Sequence, residues 1–185
     1  MDSAADGILT VIDLMRARQG QTRDEFVMTH PYPYLIDQSG GSAVATPKGG
    51  YETTQTSLES YQALMQAHAA KTIRSLVLPI VKKGSGIFAG MINVGRTHNN
   101  DVVISSGEVS KFHAYFTKDP VQGGYSLTDV GSTNGTWVNG VKLEPRQAML
   151  LNEGAILNFA GQRELLFYTP QGVYDFMGQF SGLDF

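Results

Sequence analysis

An all-β sandwich is the fold class this sequence predicts, and three observations predict it. From Leu76 onward the chain breaks into short runs rich in β-branched and aromatic residues. Glycine and asparagine punctuate those runs at short intervals, as turns between strands require. Glycine is abundant, at 21 of 185 residues, which suits tight turns better than helix interiors.

The chain opens differently. Ile8, Val11, Ile12 and Met15 fall at helical spacing and predict a helix over Ala4 to Arg18, ended by Gly20. Residues Glu25 to Asp37 include His30-Pro31-Tyr32-Pro33-Tyr34, so the prolines predict an extended stretch with Tyr34-Leu35-Ile36 as a short edge strand. Ser39 to Gly50 is rich in Gly and Ser and reads as a linker. Leu58, Tyr61, Leu64, Met65, Ala69 and Thr72 place an apolar face on a second helix, Ser57 to Ile73. Ser57 and Ser60 can cap its start.

Strand-like runs follow at Leu76–Lys82, Ile92–Val94, Val102–Ile104, Ala114–Thr117, Tyr125–Asp129, Thr136–Val138, Val141–Leu143, Ile156–Phe159 and Leu165–Tyr168. Asn139-Gly140 is a two-residue hairpin signal, because both residues tolerate positive φ. The aromatic tail, Gly172 to Phe185, predicts a short docked helix. The expected division is an extension over 1–73, a sandwich over 74–170 and a tail over 171–185.

Composition narrows the function. Hydrophobic residues make up 42% and charged residues 17%, ordinary for a globular protein. The formal charge is only −3, so nucleic acid is not an expected partner, and any bound anion needs local donors. The absence of Cys excludes disulfides and thiolate metal ligands and suits the cytoplasm. No apolar run approaches the roughly 18 residues of a membrane span, so no membrane insertion is expected.

Three clusters stand in the loops: Gly95-Arg96, Ser110-Lys111-Phe112-His113 and Gly131-Ser132-Thr133-Asn134-Gly135-Thr136. Loops distant in sequence can converge at one end of a sandwich. There Arg96 would bring a planar charged fork, Ser110 a hydroxyl and Lys111 a compact charge. Thr133 and Asn134 would bring a hydroxyl and an amide suited to a peptide backbone. These donors suit an oxyanion and need neither metal nor cofactor. Ser110, His113 and Asp129 could be drawn as a hydrolase triad, but no Gly-x-Ser-x-Gly elbow is present, and no catalytic residue is assigned. Gly131 to Thr136 lacks the Lys and the following helix of a nucleotide phosphate loop.

The order and spacing of Val-Gly-Arg, Asn-Asp-Val-Val-Ile, Val-Ser-Lys-Phe-His and Leu-Thr-Asp-Val-Gly-Ser-Thr-Asn-Gly-Thr-Trp-Val-Asn-Gly resemble the signature of forkhead-associated (FHA) domains. That resemblance implies an eleven-stranded β-sandwich whose loops bind phosphothreonine peptides. Carried over by position, Arg96 and Ser110 hold the phosphate, Lys111 supports them, and Thr133 and Asn134 contact the peptide backbone. Gly95, His113 and Gly135 match positions that shape the site. Glu108 stands where some members carry a basic residue, and a carboxylate there weakens phosphate binding or selects a basic peptide side chain.

The implied role is an adaptor in Ser/Thr kinase signalling, not an enzyme, whose partners are a threonine-phosphorylated protein and a Ser/Thr kinase. The alternative is a phosphate-independent scaffold acting, or self-associating, through the flanks. Tyr51-Glu52-Thr53-Thr54-Gln55-Thr56 reads first as a Thr-rich helix cap. Over Glu-Thr-Thr it also resembles the phosphorylated motif preceding the FHA domain in small actinobacterial metabolic regulators. On that resemblance Thr53 and Thr54 are candidate phosphorylation sites.

Overall fold

The computed structural model describes residues 9–38, 66–84, 90–119 and 123–180. Two helices open the described chain, α1 (Val11–Arg18) and α2 (Arg23–Thr29), followed by strand β1 (Tyr34–Asp37). Residues 66–72 are helical, as α3. Then come β2 (Val77–Pro79), β3 (Met91–Gly95), β4 (Val102–Val103), β5 (Ala114–Lys118) and β6 (Tyr125–Asp129). The chain continues through β7 (Thr136–Val138), β8 (Val141–Lys142), β9 (Ala148–Leu151), β10 (Ala155–Phe159) and β11 (Arg163–Tyr168). It closes with α4 (Pro170–Gly178).

The strands form two sheets, ordered β2-β1-β11-β10-β7-β8 and β4-β3-β5-β6-β9. All pairs are antiparallel except the short β3–β4 contact. Period-two alternation sends Val94, Phe116, Leu127, Leu157, Phe159, Leu165 and Phe167 into the gap between the sheets. The expected eleven-stranded sandwich is the fold observed.

A third layer covers the outer face of β2, β1 and β11 in the six-stranded sheet. Val11 and Leu14 of α1, Phe26 of α2, and Val173, Phe176 and Met177 of α4 pack on Tyr34, Ile36 and Val77. This second core explains why all four residues of β1 are buried, since the strand has cover on both faces. The tail therefore docks as a helix, as expected, with Pro170 at its first turn and Thr169 as its cap.

Two expectations are corrected. Tyr34-Leu35-Ile36 is not at an edge: β1 pairs with β11 on one side and β2 on the other. Pro33 sits just before the strand, so no ladder N–H is lost within it. The stretch expected to be extended from Glu25 begins with α2 instead. Glu25 accepts from the Thr22 N–H at 2.7 Å and Thr22 accepts from the Glu25 N–H, a capping box that the sequence carries as Thr-x-x-Glu. The linker and the Thr53–Thr54 run lie outside the described residues, as does most of the Ser57–Ile73 helix, whose Ala69 and Thr72 are buried as expected.

Helix α1 is also tied to the sandwich through its backbone. The Val11 and Ile12 N–H groups, left free at a helix start, donate to the carbonyls of Ser75 (3.1 Å) and Ile73 (2.8 Å) beyond the end of α3.

Candidate functional site

β3 ends at Gly95, and the next loop is held against the loop before β5 at close quarters. The Arg96 N–H donates to the Ser110 carbonyl at 3.1 Å. The Asn100 side-chain amide, buried, donates to the Lys111 carbonyl at 2.7 Å and to the Thr97 carbonyl at 2.9 Å. A β-carbon at position 95 would run into the Lys111 carbonyl and the Asn100 amide, so only glycine permits this approach.

The next tie runs through His113, fully buried and edge-on to Phe159. Its Nδ1 accepts from the Ser110 N–H at 3.0 Å, and Nε2 lies 3.1 Å from the Gly135 carbonyl. With Nδ1 accepting, the proton belongs on Nε2, which donates to Gly135. Burial lowers the His113 pKa from 6.5, outweighing the Gly135 bond and the Asp129 charge that favour the cation. The neutral ring is the form this bonding needs. It meets the Ser110 amide rather than its hydroxyl, so it is not placed to deprotonate that hydroxyl.

Asp129 shapes the third loop. One carboxylate oxygen accepts from the Gly131 and Ser132 N–H groups at 2.7 Å each, and the other accepts from the Ser132 and Thr136 hydroxyls at 2.6 and 2.5 Å. Burial alone would raise its pKa; these hydrogen bonds more than offset it and hold the carboxyl below its usual value. Gly135, at φ +86°, takes the left-handed conformation that turns the chain into β7.

The structure brings most of the sequence-predicted residues together. The Thr133 N–H donates to Ser110 Oγ at 3.1 Å. Asn134 Nδ2 donates to the Glu108 carbonyl at 2.9 Å and to its carboxylate at 3.0 Å, and its amide oxygen has no hydrogen bond among the described residues. Arg96 and Lys111 are exposed, and neither has an ion-pair partner among the described residues. Arg96 joins Ser110 through its backbone only. The organising roles of Asn100 and Asp129 escaped the sequence reading. An Asn-Asp turn after the Gly-Arg pair, and an acidic residue two before Gly131, are the signals that mark them.

The fold and loops define a β-sandwich whose connected loops carry two exposed cations, Arg96 and Lys111, with the hydroxyls and amides of Ser110, Thr133 and Asn134. Residues 92–160 match the family model of the FHA domain, and this stretch of the chain is an FHA domain. Over 78 residues, 42% of the chain, it is 37% identical to an ABC transporter ATP-binding/permease protein of Mycobacterium tuberculosis, of which the match spans 8%. It is 33% identical over 81 residues, 40% of the chain, to the oxoglutarate dehydrogenase inhibitor of Corynebacterium diphtheriae, of which it spans 53%. The chain thus matches about half or less of the length of these relatives. Among solved structures, the N-terminal FHA domain of Saccharomyces cerevisiae Rad53p in complex with a phosphothreonine peptide aligns with 78% of this chain and 98% of its own. The identity is 17% and the TM-score 0.47.

Proposed function

We propose that the protein is a phosphothreonine-peptide-binding adaptor in Ser/Thr kinase signalling, acting in the cytoplasm. The carrying observation is that Arg96, exposed and with no ion-pair partner among the described residues, is tied through its backbone N–H to Ser110, whose hydroxyl accepts from the Thr133 N–H. Arg96 and Ser110 take the phosphate, with Lys111 in support. Thr133 and Asn134 take the peptide backbone, and the Asn134 amide oxygen has no hydrogen-bond partner among the described residues. Glu108 beside Asn134 favours a basic peptide residue on that flank. Phosphothreonine bears about −1.5 to −2 charges at neutral pH, which matches this set of donors.

The flanks bear on the alternative of a scaffold acting through them. The apolar faces of α1, α2 and α4 are spent on the second core, which leaves less of them for a partner. On this reading α1, α2 and β1 belong to the same folding unit as the sandwich, which does not begin at Arg74.

The test is binding to a degenerate phosphothreonine peptide library, with phosphoserine and unphosphorylated controls. The expected result is selection of phosphothreonine, weakened at least about tenfold in Arg96→Ala, since a charge-assisted hydrogen bond contributes about 1.5–3 kcal/mol. Wild-type affinity in that variant, or no preference for the phosphorylated library, refutes the assignment.

A further inference from the structure

A groove of about 540 Å³ opens where the end of α3 meets the end of β1 and the starts of β2 and β11, and none of the phosphate-loop residues lines it. Its charge sets it apart. Lys71, Arg74 and Arg163 line it against one carboxylate, Asp37. Asp37 is buried and pairs with Arg163 at 3.0 Å, so these two neutralise each other across β1 and β11. Lys71 and Arg74 are exposed, and neither has an ion-pair partner among the described residues. The groove therefore carries two unspent cations in a chain whose formal charge is −3.

Cations at the end of a helix ordinarily serve its last carbonyls, the negative end of its dipole. Here most of those carbonyls are taken by backbone. Ala69, Lys71 and Thr72 accept from the N–H groups of Ile73, Arg74 and Ser75, while Ile73 and Ser75 accept from Ile12 and Val11 at the start of α1. Lys71 and Arg74 are left to the groove. The rest of the lining says what accompanies their charge. The Ser75 hydroxyl makes no hydrogen bond among the described residues, which leaves it a donor for a ligand. Ala67, Ala70 and Leu76 supply apolar wall, and Leu76 is 38% exposed. The volume lies within the range of roughly 300–1,000 Å³ of small-ligand clefts. Two unspent cations are too few for a nucleic-acid backbone or an anionic membrane, each of which is held by a larger set.

We propose that this groove binds a small organic phosphate, a phosphate monoester with an apolar body. Such a monoester carries about −1.5 to −2 charges at neutral pH, which the two unspent cations match. The Arg74 fork and the Lys71 ammonium take the phosphate oxygens, and the Ser75 hydroxyl donates to one of them. Leu76 and the two alanines cover the apolar body. Asp37 does not oppose the anion, because its charge is already met by Arg163. The bound molecule bridges α3 to β1 and β11. This site goes beyond the phosphothreonine reading and does not depend on it.

The experiment titrates the isotope-labelled full chain with phenyl phosphate at neutral pH and follows its backbone amide NMR signals. The Arg96 loops also suit a phosphate, so the place of each shift decides. The expected result is one saturating set of shifts at Lys71 to Leu76, Asp37 and Arg163, separate from any set at Arg96 and Ser110. Lys71→Gln combined with Arg74→Gln should weaken the first set at least about tenfold and leave the second, whereas Arg96→Ala should weaken only the second. Benzoate, with one charge, and inorganic phosphate, with no apolar body, should each bind the groove several-fold more weakly. Shifts confined to the loops, or a groove set unchanged in the double variant, refute the site and leave the phosphothreonine reading standing. Inorganic phosphate binding as tightly as phenyl phosphate refutes the organic ligand.

Discussion

His113 and Gly135 join two loops that are 22 residues apart: the ring Nε2 lies 3.1 Å from the Gly135 carbonyl, while Nδ1 accepts from the Ser110 amide at 3.0 Å. One side chain thereby fixes the spacing between Ser110 and the loop of Thr133 and Asn134. His113→Ala removes both bonds and leaves two polar backbone groups facing a cavity beside Phe159. The expected cost is about 2–4 kcal/mol of stability, with weaker phosphopeptide binding although the ring touches no ligand. Urea unfolding of the variant checks the first, and peptide titration the second.

The same burial makes stability depend on pH in a definite direction. In the unfolded chain His113 takes up a proton near 6.5; in the folded chain its pKa is lowered, first by burial. The unfolded state therefore binds more protons below that pH, so the contribution is complete above about 6.5 and declines as pH falls through it. Asp129, held below 3.8 by hydrogen bonds that offset its burial, adds a second decline below about pH 4. Urea midpoints should be flat from pH 8 to 7 and fall by pH 5.5, and the first fall should shrink in His113→Gln. A wild-type midpoint unchanged from pH 8 to 5 would contradict a neutral buried ring.

Gly95 supplies a third check, because it sits where two loops nearly touch. Gly95→Ala places a methyl against the Lys111 carbonyl and the Asn100 amide, groups that are themselves tied together at 2.7 Å. Backbone cannot swing aside as a flexible side chain would. The expected loss is about 1–3 kcal/mol, with Arg96 and Lys111 displaced relative to each other. Gly107→Ala, with open space around its β-carbon, is the control and should be near neutral. Thermal unfolding and peptide binding of the pair measure the difference.

What the sequence disclosed follows from where each signal is local. Asn139 (φ 51°) and Gly140 (φ 79°) form the expected hairpin because the residues alone specify that turn. The loop clusters were legible for the same reason, as chains of turn residues and donors at short spacing. β9 was not: Ala148-Met149-Leu150-Leu151 favours helix, and pairing with β6 makes it a strand. β1 was misplaced because its four residues cannot show that two other strands and a helical layer surround them. The geometry of Arg96 toward Ser110 was likewise invisible, since it depends on the buried Asn100 and His113 across the loops.

That position of β1 makes the N-terminal segment part of the folding unit. Leu35 enters the core between the sheets, Ile36 enters the core beneath the helices, and both are fully buried. A chain beginning at Arg74 loses both side chains, leaves β2 and β11 without a common partner, and uncovers Val173 and Met177. Such a fragment should not unfold cooperatively, whereas the full chain should. Because a truncation can fail for many reasons, Ile36→Asp in the full chain is the sharper test. An unpaired carboxylate there is expected to cost more than about 4 kcal/mol. If Ile36→Asp unfolds at the wild-type urea concentration, β1 is not an interior strand. A cooperatively folded 74–185 fragment would likewise place the folding unit within the sandwich alone.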